Sequence, residues 1–257
     1  MSGDAADLER LARERRVVLK DELQARVERL GDGEHAVVRK TYRNRGVRWL
    51  QSLWRQSRAH REHDRLAAIA AAGVPCLQPL AWSEQRRFGG VANSTLVTRW
   101  LPDAVALKQV LRDLRPTAFR GRAALARAMG ALVGAMHHAG FLWNTPMPRN
   151  ALVVGDPADA RLVVCDPPSC LVLGRDLHGR RLACIDLFLG AFSPSRRADW
   201  SRSERLRWLL GYTAGDRDAA RGLWRRLVRR RSLQNVLERA LATAAFTYIV
   251  GPRRTRP

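Results

Sequence analysis

The chain has 257 residues, with 46 basic residues against 24 acidic ones for a net charge of +22. That length can bury one large domain or two small lobes. The charge suits nucleic acid, an anionic membrane face or an anionic substrate, and does not choose among them. No run of about 18 apolar residues is present, and Met1 to Arg16 is charged rather than signal-like, so a cytosolic protein is expected. Cys76, Cys165, Cys170 and Cys184 form no C-x-x-C pair and lie mostly in or beside apolar runs, as reduced, packed thiols do.

Residues 4–30 carry Leu8, Leu11, Val18 and Leu19 among many charges, which predicts a helix in the first half, with Leu23, Val27 and Leu30 continuing the apolar pattern. Gly31-Asp32-Gly33 then breaks it. Ala36 to Tyr42 is short, β-branched and bounded by turn residues, and predicts a strand. Ser57 to Ala72 predicts an alanine-rich helix closed by Gly73-Val74-Pro75. Two further strands are expected at Leu77 to Trp82 and Ser94 to Trp100, joined through Phe88-Gly89-Gly90, and Leu101-Pro102-Asp103 ends the sheet.

Beyond Pro102 the chain turns helical, with Leu125, Met129, Leu132, Val133 and Met136 on one face as far as His138-Ala139-Gly140. Phe141 to Arg149 has two prolines and no periodicity, and is a loop. The apolar runs Ala151 to Val154 and Arg161 to Cys165 predict an antiparallel hairpin. Pairing Ala151 with Cys165 would set Asn150 opposite Asp166. Arginine-rich helices follow, including Ser203 to Tyr212 and Ala219 to Ala245. The fold class is therefore α+β: a small antiparallel sheet with one helix over residues 1–101, then a larger, mainly helical part over residues 102–257 that contains the hairpin.

Four residues carry the chemistry. An amide and a carboxylate at the open end of a hairpin, Asn150 and Asp166, are the oxygen ligands with which Mg²⁺ can be held against a nucleotide triphosphate. Lys40 lies inside a strand in a chain whose only other lysines are Lys20 and Lys108; its point-like ammonium can reach phosphates while the stem packs on the sheet. Glu62, in the following helix, is placed to pair with it. The bland alternatives are a solvated strand lysine, an exposed helix acid and two turn residues.

In order, these residues resemble the bacterial lipopolysaccharide-core (Kdo/heptose) kinase family, of protein-kinase-like fold. The echoes are Val37-Val38-Arg39-Lys40-Thr41-Tyr42-Arg43, Arg58-Ala59-His60-Arg61-Glu62, Gly73-Val74-Pro75, and Arg181 to Leu189 around Asp186-Leu187. The resemblance implies a bilobal fold and ATP with Mg²⁺ as cofactors. It implies phosphate binding by Lys40, fixing of Lys40 by Glu62, metal binding by Asn150 and Asp166, and cover of the nucleotide by Gly31 and Gly33. Thr98 to Pro102 would be the hinge, and Asp186 a structural tie between the catalytic loop and the following helices. His137 and His138 are read as packing residues, one of them bonded to backbone near the loop.

The sequence departs from the pattern at one place. The position five residues before the metal-binding asparagine, an aspartate in kinase-like proteins, is Thr145, and the preceding histidine position is Trp143. No carboxylate lies between Trp143 and Arg149. Asn144 or Thr145 would then orient the acceptor hydroxyl, with Arg149 stabilising charge. The expected substrate is an anionic glycolipid or sugar, reached through peripheral contact with the inner membrane face. The alternative is a pseudokinase that holds nucleotide or a partner without turnover. Nucleic acid is disfavoured as a partner, because no helix-turn-helix, zinc or RNA-recognition signature accompanies the arginines.

Overall fold

The computed structural model describes residues 10, 11, 13, 15–114, 119–159, 161–167, 169–193 and 199–229. The chain divides into two compact units, Met1–Ala71 with Leu77–Pro102, and Ala72–Cys76 with Asp103–Pro257.

The first unit is built on strands β1 (Arg16–Glu22), β2 (Ala25–Leu30), β3 (Val37–Arg43), β4 (Pro79–Arg87) and β5 (Gly90–Arg99), with helices α1 (Val47–Gln51) and α2 (Arg58–Ala71). The strands form one antiparallel sheet in the order β1-β2-β3-β5-β4. Helix α2 buries Ala59, Glu62, Leu66 and Ile69, a single face at helical spacing. Leu11, Leu30, Val37 and Val97 pack together in the core.

The helix expected over the first half of residues 4–30 is helical at Arg10, Leu11 and Arg13 among the described residues, and is corrected from Arg16 onward, where the chain forms the β1–β2 hairpin turning at Leu23-Gln24. Six of the seven β1 residues are exposed, so β1 has no buried alternation to announce a strand. Gly31 (φ 74°) and Gly33 (φ 63°) make the β2–β3 connection. Gly31 N–H is bonded to the carbonyls of Leu11 and Arg15, and a Cβ there would lie 2.7 Å from the Leu11 side chain. Packing and a positive φ both call for glycine at Gly31, whereas at Gly33 the positive φ alone does. The β1–β2 tip contains no glycine.

The second unit holds strand β6 (Val105–Ala106), helices α3 (Leu107–Asp113) and α4 (Phe119–His138), strands β7 (Phe141–Leu142), β8 (Ala151–Val154), β9 (Arg161–Val164) and β10 (Leu171–Val172), and helices α5 (Ala183–Leu187), α6 (Arg202–Tyr212) and α7 (Arg217–Arg229). A π-helical turn, Phe188–Phe192, follows α5. Strand β8 lies between β6 and β9. The helix expected over Ala219 to Ala245 is described as far as Arg229, and the remainder lies outside the described residues, as do Arg230, Arg231 and the arginine-rich tail.

Helices α4 and α6 approach closely enough to require glycine. A Cβ on Gly130 would lie 1.8 Å from the Trp208 carbonyl oxygen, and one on Gly211 1.9 Å from that of Arg127. Helix α6 begins at a capping box of Ser201 and Glu204, and the Glu204 carboxylate also takes the Arg122 guanidinium at 2.6 Å.

Two predictions follow from this packing. Gly130→Ala should destabilise the chain by about 3 kcal/mol or more, because backbone rather than a flexible side chain must yield; urea denaturation measures it. Glu204 titrates below the ordinary glutamate value of 4.5: burial alone would raise it, but the hydrogen bonds and charge of Arg122 and the bond to Ser201 outweigh burial. With the folded value depressed, the pair stabilises fully above pH 4.5 and its contribution is lost as pH falls through the lowered value. The urea midpoints of wild type and Glu204→Gln should therefore converge in acid.

Candidate functional site

In the first unit, Lys40 sits at the centre of β3, opposite Val27 on β2 and Leu96 on β5. Its Nζ lies 3.0 Å from Glu62 Oε1, and the Glu62 side chain is only 1% exposed. Tyr42, two residues along the same strand face, donates its hydroxyl to the other Glu62 oxygen. The Tyr42 ring also carries Lys40 Nζ at 5.2 Å and the Arg58 guanidinium at 4.5 Å from its centroid. A buried carboxylate is tolerated when both oxygens are satisfied. Lys40 and Tyr42 do that here, and the ammonium is fixed as a result.

Helix α2, which carries Glu62, and the residues just before it concentrate positive charge. Burial, then the charges of Arg55, Arg58 and Arg65, hold the Arg61 guanidinium below its ordinary value. An anion beside this turn would relieve that repulsion.

In the second unit, the loop after β7 is held by Asp186, whose side chain has no exposed surface. Asp186 accepts the Trp143 and Asn144 backbone N–H groups, each at 2.6 Å, and shares a 3.1 Å hydrogen bond with His137 Nε2. His137 Nδ1 meets the Tyr212 hydroxyl at 3.0 Å. The partners of His137 are therefore a carboxylate and a phenol, which corrects the expected backbone bond: Asp186 holds the loop backbone instead. His138 Nδ1 lies 3.2 Å from Asp176. The Tyr212 hydroxyl is pushed far above its usual range by burial and the charges around it, so it remains a neutral partner.

Asn144 has φ 64° and is buried, with Nδ2 donating to the Ser169 carbonyl at 2.9 Å. It is bound into the loop frame. Thr145 Oγ1 is enclosed without a hydrogen-bond partner, and the Thr145 carbonyl accepts Asn150 Nδ2 at 2.9 Å. Asn150 is 6% exposed and ends the short 3-10 turn Pro148–Asn150, while Arg149 is exposed. With its nitrogen bonded to the loop, the Asn150 side chain has an oxygen left over, a donor of the type that could hold Mg²⁺.

The hairpin register is one residue shorter than expected. Ala151 pairs with Val164, not Cys165, and Cys165 N–H bonds to the Asn150 carbonyl at 3.1 Å. Asn150 therefore faces Cys165, and Asp166 follows one residue later, still at the open end of the hairpin. The cause is an asymmetry: Ala151 to Val154 is four residues long and Arg161 to Cys165 five, and after Arg161 both are apolar without a break, so alternation fixes no register. None of the four cysteines is in a disulfide, and burial pushes the Cys76 thiol up to about 11.

Sequence reasoning missed Tyr42 and Arg58 as neighbours of the Lys40 pair. Tyr42 was legible in principle, as the residue two along from Lys40 on one strand face.

A model described as the Lipopolysaccharide kinase (Kdo/WaaP) family matches residues 9–166. No curated protein matches the chain in sequence. Among solved structures, one titled "WaaP in complex with acyl carrier protein" superposes with a TM-score of 0.54 and 22% identity, over 93% of this chain and 89% of that one. At that identity the likeness is one of fold.

Asp186→Ala should cost about 3 kcal/mol or more, since two short backbone bonds and a buried histidine lose their acceptor together. Amide hydrogen exchange at Trp143 and Asn144 should accelerate with it, and unchanged protection there would contradict the anchoring role.

Proposed function

The chain belongs to the lipopolysaccharide kinase (Kdo/WaaP) family, and we propose that it is an ATP-dependent phosphotransferase acting on a sugar hydroxyl of lipopolysaccharide core or a related glycolipid. The observation that carries this reading is the Lys40–Glu62 pair at 3.0 Å, an ammonium on the central strand held in place by a carboxylate that is 1% exposed.

Lys40 would bind phosphate oxygens of ATP, with Glu62 and Tyr42 fixing where its charge stands. Asn150 and Asp166 would hold magnesium, which when bound neutralises charge on the phosphates. At the position of a base stands Thr145, whose enclosed hydroxyl supplies no carboxylate to take the acceptor's proton, and Arg149, exposed beside Asn150, would offset charge developing on the transferred group. The excess of arginine suits an acceptor that is itself anionic.

A second reading, a nucleotide-binding pseudokinase or scaffold, is favoured by Thr145 alone. General-base help is worth about 10²- to 10⁴-fold, whereas positioning and charge stabilisation dominate phosphoryl transfer. Loss of the aspartate therefore cripples turnover more than it abolishes nucleotide binding.

Calorimetric titration with magnesium-ATP should show binding to wild type that weakens at least about tenfold in Lys40→Ala and in Asp166→Ala; unchanged affinity in both would remove the basis of the proposal. Thr145→Asp should raise turnover on a lipopolysaccharide-core acceptor by about 10²-fold or more, and the absence of any transfer by either protein would favour the scaffold.

A further inference from the structure

One end of the five-stranded sheet carries a cluster of exposed apolar side chains that the phosphotransfer chemistry does not use. Three segments meet there: the β1–β2 turn at Leu23-Gln24, residues 44–57 with α1, and the β4–β5 turn at Phe88-Gly89. Arg43 N–H bonds to the Gln24 carbonyl at 3.1 Å, and the Arg48 guanidinium to the Gln24 side chain. Asn44 N–H reaches the Ala92 carbonyl at 2.9 Å, Trp49 Nε1 the Arg87 carbonyl at 3.2 Å, and Val91 N–H the Ser52 hydroxyl at 2.7 Å. The inner face of this segment is closely packed: a Cβ on Gly90 would lie 2.6 Å from the Trp49 ring, and one on Gly89 3.3 Å from Leu53.

Among the described residues, the outer face is unpartnered. Val47, Leu50 and Trp54, spaced by three and four residues, are 69%, 49% and 67% exposed. The flanking turns add Phe88 at 81% and Leu23 at 74%. Scattered exposed leucines need no explanation, but five large apolar side chains at one end of one sheet do.

The surrounding charge is one-sided. No acid occurs between Glu34 and Glu62, or between Glu84 and Asp103, whereas Arg45, Arg48, Arg86 and Arg87 border the apolar residues. The acids that do lie near are engaged: Asp21 with Arg26 and Arg43, Glu22 with Lys20, and Glu84 with Arg86. Arg87 lies over the Phe88 ring at 5.3 Å, so the guanidinium and the aromatic face are presented together.

We propose that this end of the sheet is a docking surface for an anionic lipid bilayer. Exposed Trp, Phe and Leu would enter the headgroup boundary while the arginines meet lipid phosphates, the division of labour of an interfacial anchor. A protein partner would bury the same apolar side chains, but a rim of arginines with no free acid among the described residues favours a surface of phosphates. The inference rests on the glycolipid reading only in naming a bilayer as the partner, since that is where such an acceptor resides.

Flotation of the full chain with vesicles tests it. Wild type should associate with phosphatidylcholine vesicles containing phosphatidylglycerol, less with pure phosphatidylcholine, and less as salt is raised. The triple variant Leu50→Ser, Trp54→Ser, Phe88→Ser should lose at least about tenfold in partitioning with an unchanged Tm, because the three side chains are exposed. A triple variant that floats like wild type would overturn the proposal, leaving the chain's general positive charge as the cause. A wild type that ignores anionic vesicles would overturn it equally. Lys40→Ala should float like wild type, so a failure of the phosphotransfer reading is seen separately, in ATP binding, while docking stands.

Discussion

A carboxylate with no solvent contact is stable only when the protein supplies the hydrogen bonds that water would have made. Asp186 meets that condition with two backbone N–H groups of the loop after β7 and one imidazole nitrogen of α4. The dependence runs outward from it. His137 is held in turn by Tyr212 on α6, and Tyr212 stacks on His178, which stacks on His138. Moving the carboxylate would therefore disturb α4, α6 and the loop together. The loop passes the constraint on through the Thr145 carbonyl, which fixes the Asn150 amide.

The sequence made some of this plain and hid the rest, for reasons that differ by element. Helix α4 was legible because Leu125, Met129, Leu132, Val133 and Met136 are buried on one side, which is what a 3.6-residue period reports. Lys40 stood out because arginine is the default base in this chain. Strand β1 could not be read, since a strand exposed on both faces has no two-residue alternation. The register of β8 and β9 failed for the opposite reason: with apolar residues on both faces, every alignment buries about the same surface. Asp186 was recognised as a structural tie, but which atoms it ties is a property of the folded loop.

The Lys40 environment shows how a sheet turns register into chemistry. Strand β3 has neighbours on both sides, so Lys40 cannot swing with its backbone, and Tyr42 shares its face by the two-residue period. Glu62 occupies the buried stripe of α2 where an apolar side chain would otherwise sit. A guanidinium at position 40 would meet Glu62 as a broad planar fork, whereas the ammonium pairs with it and still presents a compact charge. That difference gives a physical reason for lysine at position 40 in an arginine-rich protein.

Thr145 bears on how much the frame can do without a local base. In a loose phosphoryl-transfer transition state, the bond to the attacking oxygen is little formed while the bond to the leaving group is largely broken. The acceptor hydroxyl then carries little positive charge when the barrier is crossed, and its proton can depart late. Removing a carboxylate from the loop costs most where proton removal is advanced and least where it lags. Meanwhile the groups that fix the loop and the Lys40 ammonium, namely Asp186, Glu62 and their partners, have all of their hydrogen bonds in place. On the proposed phosphotransfer reading, a loop with Thr145 at the base position and the buried carboxylates that position everything else would keep the larger contribution to catalysis.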